Sequence, residues 1–357
     1  MDTAAQRPYP PGSRPPFPTG AQIHATALSI AAAQHESGAI PWFPGGGTDP
    51  WDHVECLMAL DVQGLHEPAR AGYDWLRRTQ RPDGSWPSRW LDGTVVEATA
   101  ETNHAAYVAV GVLHHWLSTA DDEFLARAWP MVRDALAFTL ALANPDGTIG
   151  WARSPQGSPD PAALVTGCSS IHQALRCGVS IADALGADDT SRTWEAAADR
   201  LQHALLHRPG AFVDKSRFSM DWYYPVLGGA LRGDAARERI DRGWDTFVVP
   251  GSGIRCVSDR PWVTGAETCE LALALASVGD TARAAELVAS MQHLRDDDGS
   301  YWTGLVLTDG KRWPVEHSTW TGAAMVLAVD LINAGEVTGR VFGDPAGELD
   351  DLEDVAS

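Results

Sequence analysis

One turn phrase returns along this chain: the end of a helical stretch, a Gln or Asn, an acidic-Gly turn, then an aromatic. It reads Gln34 to Gly38 leading to Trp42, Gln80-Arg81-Pro82-Asp83-Gly84-Ser85-Trp86, Asn144-Pro145-Asp146-Gly147 leading to Trp151, and Gln292 leading to Asp298-Gly299-Ser300-Tyr301-Trp302. Asp-Gly supplies a left-handed turn, and the aromatic can pack back under the helices it follows. Between the turns, apolar residues recur at three- and four-residue spacing over 23–33, 54–65, 69–79, 105–117, 124–142, 171–185, 194–206, 221–231, 235–244, 271–278, 282–291 and 319–332. That period predicts helices, about twelve of them, while strand-like alternation is almost absent. A two-helix unit repeating at roughly fifty residues must stack or close on itself, because no single unit buries its own apolar face. The expected fold is therefore all-α: a single (α/α)6 toroid of six helical hairpins around a central cavity, spanning 21–335. A Pro-rich disordered arm (1–20) and an acidic flexible tail (336–357) would flank it.

Charge narrows the function. Lys+Arg 27 against Asp+Glu 47 gives a net charge of −20, which argues against nucleic acid or an anionic membrane as partner. No apolar run is long enough for a transmembrane helix. The first twenty residues hold six prolines and no apolar core, so they do not read as a signal peptide. Five scattered cysteines fit a reducing cytoplasm better than a disulfide scaffold. Fifteen Trp against eight Phe suggests a cavity lined by indoles. Oligomeric state is not readable.

Gln80-x3-Gly84-x-Trp86 matches the QW motif, and through it the chain resembles the terpenoid cyclase and protein prenyltransferase superfamily of α/α toroids. It is also similar to bacterial proteins labelled "prenyltransferase". Residues 121–146 resemble the helix-and-turn phrasing of six-hairpin glycosidases as well. The first resemblance implies a soluble enzyme that handles an isoprenoid, as diphosphate or lipid-linked substrate, by acid–base chemistry in the toroid cavity. The alternative is a glycosidase or other glycan-processing enzyme with paired carboxylates and Trp stacking, and a third reading is a non-catalytic toroid that binds a ligand.

In a toroid every second helix lines the cavity, and the inner helices start at one rim. The starts of the even-numbered helices are unusually polar and aromatic; the odd-numbered ones start blandly. N-capping explains some of the Asp, Ser, Thr and Asn there, at roughly 1 kcal/mol each, but not the His, Trp and Tyr. Candidate catalytic groups are Asp52, Glu55, Glu101, Asp221, Glu267 and His317. Candidate substrate contacts are Trp51, His53, Asn103, His104, His172, Trp222, Tyr223, Tyr224, Trp262, Glu270 and Trp320, with Arg255, Arg260 and Lys311 placed to hold a diphosphate. By resemblance to the prenyltransferase zinc site, Glu267, Cys269 and His317 form a metal candidate, for zinc or magnesium; no cofactor is assigned. No DxDD stands at an inner helix start, which disfavours ordinary cyclase chemistry. The indole-rich, Phe-poor composition fits sugar stacking better than a terpene pocket.

Overall fold

The computed structural model describes residues 16–345. Its helices are α1 (Gly20–Ala33), α2 (Pro50–Val62), α3 (His66–Thr79), α4 (Thr102–Thr119), α5 (Asp122–Leu140), α6 (Val165–Ala184), α7 (Asp188–His207), α8 (Ser219–Leu227), α9 (Gly233–Phe247), α10 (Gly265–Ser277), α11 (Thr281–Ser290), α12 (Thr319–Ile332) and α13 (Glu336–Phe342). The helices α2, α4, α6, α8, α10 and α12 each pack against the next, and α12 returns to α2, so they close a ring. An outer layer surrounds it: α3, α5, α7, α9 and α11 each lie on the inner helix that precedes them, and α1 lies on α12. The two layers read differently in sequence for a physical reason. Inner helices are buried all round, as in the unbroken run Leu271 to Leu275 of α10, whereas α3 and α9 bury one stripe and expose charged faces.

The repeated turn is a splice between neighbouring helix pairs. Gln80 Nε2 donates to Gly84 O (3.0 Å) and to Met131 O on α5 (2.9 Å), and Trp86 Nε1 donates to Leu76 O on α3 (2.9 Å). Gln34 does the same one pair earlier, to Gly38 O and Pro68 O (both 2.9 Å). The glycine is obligatory twice over. Gly84 has a φ of 87°, and a Cβ there would stand 2.0 Å from Asp134 O. All the residues of the Gln-Gly-Trp phrase are thus spent on holding hairpins together.

Several expected boundaries move. The helical period starts late at the inner helices: α2 begins at Pro50 rather than 54, α6 at Val165 rather than 171 and α10 at Gly265 rather than 271. Their first turns are polar and hide from an apolar count. Among the described residues nine short strands also form at one rim: β1 (Arg89–Leu91), β2 (Thr94–Glu97), β3 (Ala100–Glu101), β4 (Ala152–Arg153), β5 (Pro159–Asp160), β6 (Val248–Val249), β7 (Gly253–Arg255), β8 (Trp262–Thr264) and β9 (Gly304–Val306). They pair as the antiparallel sheets β1-β2, β3-β4-β5 and β6-β7-β8-β9. At two to four residues each they are too short to show alternation. The expected arm of 1–20 lies almost wholly outside the described residues; α1 starts on a Thr19–Gln22 capping box. The expected tail of 336–357 does not begin at 336, because α13 buries Val341 and Phe342 against α4, α10 and α12. Among the described residues no helix is long and apolar enough to cross a membrane, and the five cysteines are unbridged.

The two ends of the ring are built unlike each other. Where inner helices end, the links to the next helix (63–65, 120–121, 185–187, 228–232, 278–280, 333–335) run two to five residues. Where inner helices begin, the links (34–49, 80–101, 141–164, 208–218, 248–264, 291–318) run eleven to twenty-eight and carry all the strands. We call the second end the front.

Candidate active site

A cavity of about 450 Å³ opens at the front, over the first turns of the inner helices. α2 contributes Trp51 and Asp52, with the N-cap Asp49. Its neighbour α4 contributes Asn103 and His104, with Glu101 at the N-cap; Thr166, Met220 and Trp320 come from α6, α8 and α12. The long links supply the remaining wall: Trp42, Ser88, Arg89 and Glu97. Capping accounts for part of this ring. Asp49 Oδ1 takes the Asp52 N–H (2.9 Å) and Ser318 Oγ the Thr321 N–H (3.2 Å), but α4, α6, α8 and α10 have no side-chain cap. Backbone carbonyls of the front links take the first N–H of three of them instead: Trp151 O for α4 (2.9 Å), Cys256 O for α8 (3.0 Å) and Thr303 O for α10 (2.9 Å).

The aromatic wall is tied down. Trp51 stacks on Tyr107 (centroids 4.7 Å apart, 13° between planes) and meets His104 edge-on. Trp42 is held across the mouth by Nε1 donating to Ser318 Oγ (3.1 Å), while Thr319 N–H donates to Trp42 O and Thr319 Oγ1 to Pro41 O (both 2.7 Å). These bonds join the first hairpin to the last.

Carboxyls lie in two tiers on α2 and α10. Asp52 and Glu267 stand in the first turns; Glu55 and Glu270 follow three residues later, one turn deeper and fully buried. The deep pair is held by tyrosines: Tyr107 Oη donates to Glu55 (3.1 Å), Tyr224 Oη to Glu270 (2.7 Å), and Tyr223 Oη to the other Glu270 oxygen. Trp51, Trp320 and Glu270 close about Glu55, whose carboxyl is pushed up to about 7 by burial. Burial, then the Asp49 and Glu55 carboxylates, holds Asp52 well above the usual carboxylate range. Asp52 thus faces an open cavity and holds its proton more tightly than an ordinary carboxyl, the direction a general acid requires. Glu101 is close to His104 Nε2 (3.5 Å) across from it.

The other expected site residues go elsewhere. Glu55, Glu270, Tyr223 and Tyr224 lie beneath the cavity floor rather than in its wall. His53 is buried behind α2, accepting from Ile40 N–H (3.1 Å) and facing Gly72 O, with burial lowering it to about 4. Asp221 accepts from Thr166 Oγ1 (2.9 Å) and faces a separate groove, and Trp222 wedges between α8 and α9, donating to Arg239 O and stacking on Phe247. Trp262 donates to Trp313 O across the β8–β9 sheet. His317 is paired to Asp296 (2.7 Å) against Trp302. Cys269 is fully buried, and among the described residues no His, Cys, Asp and Glu trio gathers as a metal would need, so Glu267, Cys269 and His317 do not form a centre. Arg255 donates to Thr246 O, Arg260 is exposed and Lys311 is paired to Asp309 (2.9 Å); none lines the cavity. Of the wall, Arg89, Glu97 and Ser88 had no sequence signal, since a hairpin brings them in from outside the helices. Trp42 stood in the turn phrase and was the one readable hint.

His172 lies at the back, where its Nδ1 meets Gly228 O (2.9 Å). A larger cavity of about 600 Å³ opens there beside Arg176 and Arg232. It has no Trp, Tyr or Phe wall, Arg176 faces Glu195 and Asp344, and Arg232 is spent on the carbonyls of Phe342 and Gly343.

No protein-family model matches the chain. It is 58% identical, over 91% of its own length and 89% of the relative's, to the MMP endo-(1,4)-3-O-methyl-α-D-mannosidase of Mycolicibacterium hassiacum. Among solved structures it resembles a glycosidase in complex with glucose (TM-score 0.71, 18% identity, 88% of this chain and 97% of that one). A D-mannose isomerase also matches (TM-score 0.67, 12% identity, 90% of this chain and 100% of that one). At such identities these two show the fold alone, a helical toroid. The mannosidase overturns the isoprenoid reading: the prenyltransferase expectation rested on a Gln-Gly-Trp phrase that the fold uses as a splice, and its diphosphate-holding bases are not at the cavity.

Proposed function

The chain belongs to the family of that endo-mannosidase, which makes it a glycoside hydrolase, and on this premise we propose that it cuts α-1,4-linked, 3-O-methylated mannan within the chain. The observation that supports this most is Asp52: a carboxyl whose hold on its proton is raised by burial and by neighbouring carboxylates, in a cavity walled by Trp42, Trp51 and Trp320. Indole faces stack on pyranose rings. Asp52 donates its proton to the glycosidic oxygen as the bond breaks, and Glu267 is the partner carboxylate that draws a proton from the attacking water. His104 and Asn103 orient ring hydroxyls, and Glu101 fixes His104.

The ring is read as six hairpins. The test is hydrolysis of 3-O-methylated α-1,4-mannooligosaccharides followed by analysis of the product lengths. Internal fragments are expected. Release of terminal monosaccharide alone would sink the endo reading.

A further inference from the structure

The hairpin that supplies Arg89 and Glu97 continues past the cavity, and its outer half is apolar. Leu91, Val95 and Val96 are 41%, 43% and 48% exposed. Its base is fixed: Trp90 is buried against Trp75 (centroids 5.0 Å apart) and exchanges both backbone hydrogen bonds with Thr48 (2.9 Å each). Register then decides which side chains face which way. Arg89 pairs with Glu97, Trp90 with Val95 and Leu91 with Thr94, with Val96 as the extra residue of a bulge. Side chains alternate along a strand, so Leu91 and Thr94 share the face of Arg89 and Glu97, whereas Val95 shares the face of Trp90.

We propose that this outer half, Leu91 with Val96, is a binding lip for the O-methyl groups of sugars lying just beyond the cavity. The inference rests on the endo-mannanase reading, since an enzyme that cuts within a chain must seat sugars outside the cleaved bond. It adds where methylation is sensed. The lip is continuous with the cavity wall through Arg89 and Glu97. Its aliphatic side chains offer nothing to a hydroxyl, and covering an unpaired hydroxyl is costly. A methyl ether removes the donor and adds apolar surface that Leu91 and Val96 can cover. The same lip therefore favours a methylated mannan and disfavours a bare one.

The experiment measures binding by calorimetry in an Asp52→Asn background, so that turnover does not enter, using the full chain. Probes are a long 3-O-methylated α-1,4-mannooligosaccharide, its unmethylated counterpart, and a disaccharide that fills the cavity alone. Leu91→Ser with Val96→Ser should weaken the long methylated probe about tenfold and leave the disaccharide and unmethylated chain within about twofold. Val95→Ser, on the opposite face of the same hairpin, should change nothing and controls for a loosened hairpin. Equal losses on all three probes, no loss on the methylated chain, or an equal effect of Val95→Ser would overturn the lip. Failure of every mannan probe to bind would overturn the mannanase reading with it; binding of the disaccharide without a lip effect overturns the lip only.

Discussion

The front and back of the ring share the same six inner helices and are put to different ends. At the back, links of two to five residues turn the chain through positive-φ positions such as Gly64, Ala120, Gly186 and Gly279, and α13 lies across α4, α10 and α12. At the front the same helices begin with carboxyls and indoles, under long links that carry every strand. A helix ring buries its apolar residues in the middle whichever end is considered. The ends are free to differ, and only the front has loop length enough to wall its cavity with strands and indoles.

That division predicts separable effects. Asp52→Asn should lower kcat by about a thousandfold or more while melting stays at or above that of the wild-type protein, since the change removes a proton donor and a partly desolvated acid together. Glu267→Gln should match it. At the back, Phe342→Ala should cost about 3–4 kcal/mol in denaturant unfolding with kcat per folded molecule unchanged. If Phe342→Ala lowered kcat at constant stability, the two ends would not be independent.

The ends also titrate in opposite senses. Glu55 is raised to about 7 from 4.5 in the folded state, so the native form keeps a proton that the unfolded chain releases, and its contribution is lost as pH rises between those values. Glu55→Gln should therefore gain on wild type by up to about 3 kcal/mol at pH 8, with no gain below pH 4.5. His114 and His172, lowered to about 4 from 6.5 by burial, act the other way: their contribution is present above 6.5 and is lost as pH falls toward 4. Melting curves of Glu55→Gln and His172→Gln across pH 4–8 read both slopes; parallel curves would contradict the assignment. The smallest effect belongs to Lys311→Ala. Its pair with Asp309 is exposed and away from the cavity, so neither the melting temperature nor kcat should change measurably.

The ring itself was legible in the sequence, because apolar period and Gly turns are local signals, and so was the polar, aromatic start of the even-numbered helices, over which the front cavity lies. Depth was not. Asp52 and Glu55 lie three residues apart on one helix face, and a single turn separates a carboxyl in the cavity from one under its floor. Trp222 and Trp262 likewise sit at helix starts yet point into the α8–α9 contact and the β8–β9 sheet. The Gln80–Trp86 phrase misled on chemistry because its Gln and Trp side chains are spent on backbone carbonyls, of Gly84 within the turn, Met131 on α5 and Leu76 on α3. Arg89 and Glu97 were unreadable, since strand pairing rather than helical period carries them inward.

The bonds that fix Trp42 to Ser318 and Thr319 join residues more than 270 positions apart. During synthesis, then, most of the cavity wall is made long before the piece that closes it, and no amount of local folding can complete the site early. Closure must wait for α12 to reach α2 and α1, a contact of high sequence separation and therefore slow to form. Until it does, the apolar flank of α2 that α12 covers has no partner, and the cavity lacks both Trp320 and the Ser318 tie on Trp42.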